Sequence, residues 1–279
     1  MNTNNKKVIV VLPAYNEEQD LPGLLDRIHA ALNPWASYRI LIVDDGSADQ
    51  TAQIARDASL SKPVTLIQHP KNQGLGAAIR TGLKAAAALD GVVITMDADN
   101  SQGPELIERM VGEIEAGSDV VIASRFQPGS QEVGVPPFRI ALSHLSSGMI
   151  RLLVRYPGAR DFTCGFRAYR QSCLRQLISN YGDNFLRENG FSCMYEMLLN
   201  CRRIGAVVSE VPLVLRYDLK QGASKMRIIP TAMRYLTTTV RGFRPLRRLE
   251  EPADARELRQ SALMSLSGQG QQTAGSDGD

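Results

Sequence analysis

Residues 6–50 read KKVIVVLPAYNEEQDLPGLLDRIHAALNPWASYRILIVDDGSADQ. The stretch opens with a Val/Ile run that closes in a Pro/Asn turn. Over 20–32 it places Leu21, Leu24, Leu25 and Ile28 at helical spacing, and it ends in a second β run, YRILIVDDGS. A run of β-branched residues without polar alternation is buried on both faces, and a helix between two such runs implies parallel pairing through a right-handed crossover. The unit recurs outward: a helix over 49–58 and VTLIQH, a helix over 77–88 and GVVITMDAD, a helix over 104–115 and DVVIASRF. The expectation is an α/β protein, a three-layer α/β/α sandwich with a mostly parallel, Rossmann-like central sheet.

Beyond Gln127 the texture changes. A Pro/Gly-rich loop, PGSQEVGVPP, leads to an amphipathic helix with Phe138, Leu142, Leu145, Met149 and Leu152 on one face. The loop GARDFTCGFRAYR, helices over 171–179 and 191–203, and a strand at VVSEVPLVL follow. A catalytic domain over 1–245 and a tail over 246–279, with a short helix and then disorder, is the expected division.

The 279 residues are 43% hydrophobic and 22% charged, which describes a globular chain with a sizeable core. The four cysteines have no CxxC pair or His at ligand spacing, so they read as reduced structural thiols. No run is long and apolar enough for a membrane span, and MNTNNKK is not a signal peptide; a cytoplasmic protein is expected. The net charge of +3 gives no reason to expect nucleic acid, but it conceals polarity: 1–215 sums to −1, 216–248 to +8 and 250–279 to −4.

Ligands of parallel sheets bind beyond the carboxyl ends of the strands. Those ends carry PAYNEE, VDDGSAD, KNQGLG and DADNSQ, so Asp, Asn, Gly and Glu crowd one edge. Asp97 and Asp99, two apart at a strand end, can offer two carboxylates to one hard cation; the competing reading is a pair of turn or capping acids. Mg²⁺ or Mn²⁺ held by one or two carboxylates commonly shares its shell with phosphate, which points to a nucleoside diphosphate. There is no GxxxxGK[ST], and the first turn has no GxGxxG, so a P-loop triphosphatase and a dinucleotide fold are disfavoured. Gly74 and Gly76 suit either a helix start or a backbone that approaches a ligand closely.

Taken in order, PAYNEE, VDDGSADQT, NQGLGAA, MDADNSQGPE, RDFTCGFRAYR, SEVPL and GASKM resemble the motifs of inverting family 2 glycosyltransferases, and more narrowly the dolichol- and polyprenyl-phosphate sugar transferases. The resemblance runs over about residues 8–228. It implies a GT-A fold, a nucleotide-sugar donor (GDP-mannose or a UDP-sugar), Mg²⁺ or Mn²⁺, and a polyprenyl phosphate acceptor. By the resemblance Pro13, Tyr15, Glu17, Val43, Asp44 and Asp45 line the donor pocket. Asp97, Ala98 and Asp99 form the metal and diphosphate motif, with Ser101 as a further ligand, and Arg125 and Lys225 hold phosphate. Arg139, Arg167 and Arg216 are the acceptor-phosphate candidates, with Lys220 an alternative to Arg216. Each has a structural competitor: Asp44 as a turn former, Arg125 as a solvated strand-end charge, Arg167 as a partner of Asp161.

Many relatives that glycosylate hydroxyls carry an acidic base in an ED-type motif, but the corresponding stretch here reads ENGFSCMYE. A phosphate monoester, with a second pKa near 6, needs no base. The expected reaction is therefore direct displacement by a lipid phosphate, with inversion. A soluble transferase using Glu196 or Glu188 on a hydroxyl acceptor is the runner-up. A nucleotidyltransferase, which would release pyrophosphate, and an inactive binding subunit are the other classes. A lipid acceptor without a span calls for a membrane surface or a membrane-anchored partner. The helix over 138–153, flanked by Arg139, Arg151 and Arg155, and the basic 216–248 stretch are the contact candidates; packing against the core is the favoured competing reading of the helix, and a solvated or phosphate-binding face is an equal one for the stretch.

Overall fold

The computed structural model describes residues 7–35, 37–222, 234, 235, 237 and 238. Four strand–helix units open the chain: β1 (Lys7–Ala14), α1 (Leu21–Leu32), β2 (Ser37–Asp44), α2 (Thr51–Ser59), β3 (Val64–Gln68), α3 (Leu75–Ala87), β4 (Val92–Thr95) and α4 (Ile107–Glu115). There follow β5 (Val120–Ser124), β6 (Gln131–Val133), α5 (Pro137–Val154), β7 (Arg167–Tyr169), α6 (Gln171–Tyr181), α7 (Cys193–Arg203), β8 (Val208–Pro212) and β9 (Val214–Arg216). Seven strands form one sheet in the order β3-β2-β1-β4-β7-β5-β8, while β6 and β9 pair separately. All pairs in the large sheet are parallel except those of β7. The α/β reading holds.

The Val/Ile runs of β1, β2, β4 and β5 form the core between helix layers, with Val10, Leu12, Ile42, Ile94 and Val121 fully buried. Helix α1 buries the Leu21, Leu24, Leu25 and Ile28 face predicted from its spacing. All four cysteines are buried and free.

Two elements depart from the sequence reading. β7 lies within what reads as a loop; it runs antiparallel between β4 and β5, with Thr95 and Ile122 both opposite Arg167. Because it runs backwards, its first residues enter from the carboxyl edge of the neighbouring strands and bring Thr163 to Gly165 to that edge. Helix α5 has the predicted period, but its apolar stripe faces outward: Leu145 is 63% exposed and Leu152 72%, while Ser147, Ile150 and Val154 are buried.

Candidate active site

Strand order reverses between β1 and β4, which is where a parallel sheet opens a crevice. A cavity of about 500 Å³ lies there. Pro13, Ala14, Tyr15 and Glu17 form its wall at the end of β1. The turn after β1, with Asn16 at φ 52°, is tied to the next loop: Asn16 N donates to Ser47 Oγ (2.9 Å) and Glu17 N to Thr51 Oγ1 (2.8 Å).

Behind that wall, Asp45 accepts from Gln73 N (3.0 Å) and Gly74 N (2.8 Å) and lies 2.7 Å from His69 Nδ1. It lines the cavity, but its oxygens hold the loop before α3. Val43 and Asp44 are fully buried and do not line the cavity, a correction to their expected place in the donor pocket. Asp44 accepts from Ser47 N (3.1 Å) and Gln68 Nε2 (3.1 Å), the turn-forming role that competed for it in the sequence. The glycines of NQGLG also serve the wall. A Cβ on Gly76 would lie 1.8 Å from the Glu188 carbonyl oxygen and one on Gly74 2.4 Å from that of Asn189, so the close approach is to the chain's own 188–189 loop.

Asp97, Ala98, Asp99 and Ser101 all line the cavity. Gln102, which motif reading did not single out, clamps Asp97: its Oε1 accepts from Asp97 N (2.9 Å) and its Nε2 donates to Asp97 Oδ2 (2.7 Å). Burial, reinforced by the negative charges of Asp99 and Glu17, pushes the Asp97 carboxyl up to about 7. Asp99 Oδ1 caps the turn, accepting from Ser101 Oγ (2.5 Å) and N (3.2 Å). Its Oδ2 accepts from Lys220 Nζ at 2.5 Å. This corner gathers hard oxygen donors with one ammonium opposing them, a set that fits a divalent cation whose remaining ligands come from phosphate. Among the described residues no group of three or more His, Cys, Asp and Glu could hold a metal ion, so the fit requires those further oxygens.

Cationic groups lie opposite. Arg125 follows β5 and forms a fork on Asp161 (Nε 2.8 Å, Nη2 2.7 Å), with a third bond to Thr163 Oγ1 (2.6 Å). Asp161 also accepts from the backbone of Thr163 and Cys164, and the Arg125 guanidinium helps hold its carboxyl down at about 2 despite full burial. Arg139, in the first turn of α5, lines the cavity and donates to Tyr217 Oη (2.9 Å). Lys220 and Arg139 lie 5.8 Å from the Tyr217 ring centroid, giving the aromatic two cationic neighbours.

Arg167 and Arg216 do not join this group. Arg167 is fully buried and donates to the Met194 (2.5 Å) and Phe162 (2.9 Å) carbonyls, which makes it a brace beneath the site; Asp161, its expected partner, belongs to Arg125. Arg216 lies outside the cavity and pairs with Asp218 (2.7 Å), whereas Lys220, the alternative to it, lines the cavity. Lys225 and the tail lie outside the described residues. Glu196 Oε2 accepts from Arg187 N and Glu188 N, both at 2.8 Å, and so shapes the loop beside the cavity without lining it.

The family model described as glycosyl transferase family 2 matches residues 9–178. The chain belongs to that family. This family 2 glycosyltransferase is 32% identical over 224 residues to the polyprenol monophosphomannose synthase of Mycolicibacterium smegmatis, covering 79% of this chain and 81% of that one. It is 30% identical over 222 residues to the undecaprenyl-phosphate mannosyltransferase of Micrococcus luteus, covering 79% and 87%. Its fold matches glucosyl-3-phosphoglycerate synthase from Mycobacterium tuberculosis, solved with Mn²⁺ and UDP-glucose, at TM-score 0.62 and 20% identity over 85% of this chain and 80% of that one. The GT-A architecture expected from the sequence is therefore the architecture found.

Proposed function

We propose that the enzyme transfers a sugar, mannose in the favoured case, from a nucleotide sugar to a polyprenyl phosphate with inversion at the anomeric carbon. One observation carries this reading beyond the names of the relatives. Among the described residues, the carboxylates lining the cavity are Glu17, Asp45, Asp97 and Asp99, all on the walls after β1, β2 and β4. The facing wall offers Arg125 and Arg139 instead. Glu196 is occupied by backbone N–H groups, and Glu188 accepts from Ser192 Oγ at 3.0 Å. A hydroxyl acceptor would need a base on that wall, whereas an anionic phosphate needs only positive charge to hold it.

In this mechanism Pro13, Tyr15 and Glu17 receive the nucleoside. Asp97 and Asp99, with Ser101, would hold Mg²⁺ or Mn²⁺, which supplies positive charge to the diphosphate. Lys220, with Lys225 as a second candidate, serves the same diphosphate. Arg139 and the Nη1 of Arg125 position the acceptor phosphate, whose oxygen attacks the anomeric carbon as the bond to the diphosphate breaks. No proton has to be removed. Testing GDP-mannose, UDP-glucose and UDP-N-acetylglucosamine against polyprenyl phosphate checks the donor: GDP-mannose is expected to give the highest kcat/KM, and a UDP-sugar in its place would overturn the choice of mannose.

The Lys220–Asp99 pair adds a prediction. An ammonium on a ligand carboxylate competes with a metal ion, and a charged hydrogen bond contributes about 1.5–3 kcal/mol. Lys220→Met is therefore expected to tighten Mn²⁺ binding to the free protein about tenfold, as read by calorimetry without donor. Unchanged affinity would separate Asp99 from the metal.

We also place the enzyme at a membrane surface. No helix among the described residues is long and apolar enough to cross a membrane. The acceptor must be met at the bilayer, and the outward apolar face of α5 supports contact there.

A further inference from the structure

A second concavity, of about 470 Å³, lies at the far end of α5 and is framed by Arg151, Arg155 and Arg160. Four other arginines at the surface are paired with acids: Arg27–Glu105, Arg170–Asp119, Arg175–Asp90 and Arg216–Asp218. Among the described residues, these three guanidinium groups make no ion pair or hydrogen bond. Glu210, the acid built into this region, is occupied: it accepts from the backbone N–H groups of Arg160 and Asp161 and from Gln127 Nε2. Three guanidinium groups on one concavity, none of them bonded to an acid, suit an anionic ligand.

The frame is rigid. Tyr156 Oη donates to the Ala206 carbonyl at 2.6 Å. Gly158 has φ +85°, and a Cβ there would lie 2.0 Å from the Val208 carbonyl oxygen, so the turn is pressed against β8. Arg155 itself is left-handed at φ 43°, a conformation that costs a non-glycine residue energy and that holds its side chain beside Arg151 and Arg160.

The pocket is continuous with the exposed face of α5. Phe138, Leu145, Met149 and Leu152 are 57–72% exposed along that helix. At 1.5 Å per residue the apolar strip extends about 24 Å from Arg139 to Arg155. Arg139 lines the catalytic cavity and Arg155 the arginine pocket. A strip of this kind with cations at its ends fits a bilayer carrying negative headgroups.

We propose that Arg151, Arg155 and Arg160 bind the phosphate headgroups of anionic membrane phospholipid, and that this contact and α5 together fix the catalytic cavity against the bilayer. The inference rests on the membrane-surface reading above and names its lipid partner. The test is co-sedimentation of the full chain with phosphatidylcholine vesicles, with and without phosphatidylglycerol. The wild type is expected to prefer the anionic vesicles. Each arginine contributes about a fivefold effect, so R151Q/R155Q/R160Q loses about a hundredfold of that preference. Leu145→Ser/Leu152→Ser is expected to weaken binding to both vesicles. Transfer to detergent-dispersed polyprenyl phosphate, measured on the same preparations, is expected to be unchanged in the arginine variant.

A triple variant that keeps the anionic preference overturns the headgroup site and leaves the surface reading standing. A wild type that binds neither vesicle overturns both, while the transfer assay reports on the catalytic reading separately. Saturable binding of inorganic phosphate that depends on these arginines, without any vesicle preference, assigns the pocket to a free phosphate and likewise overturns the proposal.

Discussion

Asp99→Ala is expected to lower kcat/KM by about a thousandfold or more while leaving the fold intact. Asp99 carries the outer carboxylate of the acidic corner: one oxygen caps the Ser101 turn, and the other faces Lys220 at 2.5 Å. A divalent cation stabilises charge developing on a diphosphate by several kcal/mol, and about 4 kcal/mol corresponds to a factor of a thousand. Asp99→Asn separates charge from geometry, because it keeps an oxygen for Ser101 and removes the carboxylate. Both variants are expected to lose activity alike, with Mn²⁺ affinity falling in parallel. Near-normal turnover in either would remove Asp99 from the metal site.

Asp161→Asn is expected to cost about 3–5 kcal/mol of stability, the range for breaking a buried ion pair from one side. The Arg125 side chain is only 17% exposed and that of Asp161 0%, so the substitution strands a guanidinium with no charge to answer it. At about 2–4 °C per kcal/mol for a domain of this size, the melting temperature should fall by about 10 °C. The pair also sets an acid limit. Because the folded-state pKa of Asp161, about 2, lies below the ordinary 3.8, its contribution is complete above the ordinary value and disappears as pH falls through the folded one. The wild type should therefore shed about 2 kcal/mol on this account between about pH 4 and pH 2, and the variant should not. Arg125→Met/Asp161→Leu removes both charges and is expected to recover part of the stability without activity, because the backbone N–H groups of Arg125, Thr163 and Cys164 lose their acceptor. Thermal melts of the three proteins across pH check these points, and a D161N protein as stable as the wild type would show that the pair bears no load.

The parts of this architecture that repeat were legible in the sequence. Val/Ile runs and helices at 3.6-residue spacing specify β1 to β5 and the helices between them, and the polar strand ends mark the edge where the cavity lies. What escaped depended on contacts between distant residues. β7 is three residues long, too short for any period, and its Arg167 looks exposed in a sequence because nothing local shows two carbonyls waiting for it. Asp44 and Asp45 are neighbours of one type, yet the end of β2 turns one into the 47–51 loop and the other toward α3. Lys220 is one of two alternatives in the sequence, and only its approach to Asp99 from 121 residues away places it at the acidic corner. The α5 stripe shows the limit of periodicity: spacing gives a face, and only the packing shows that the face turns outward.

Acceptors that differ only in the phosphate separate a phosphate-acceptor transferase from a hydroxyl-acceptor one. With labelled GDP-mannose and Mn²⁺, label is expected in an organic-extractable, mild-acid-labile product when undecaprenyl phosphate is supplied, and none when undecaprenol or a soluble mannoside replaces it. Transfer to undecaprenol or the mannoside at a rate comparable with the phosphate would require a base that the described residues of the facing wall do not supply, and would overturn the phosphate-acceptor reading.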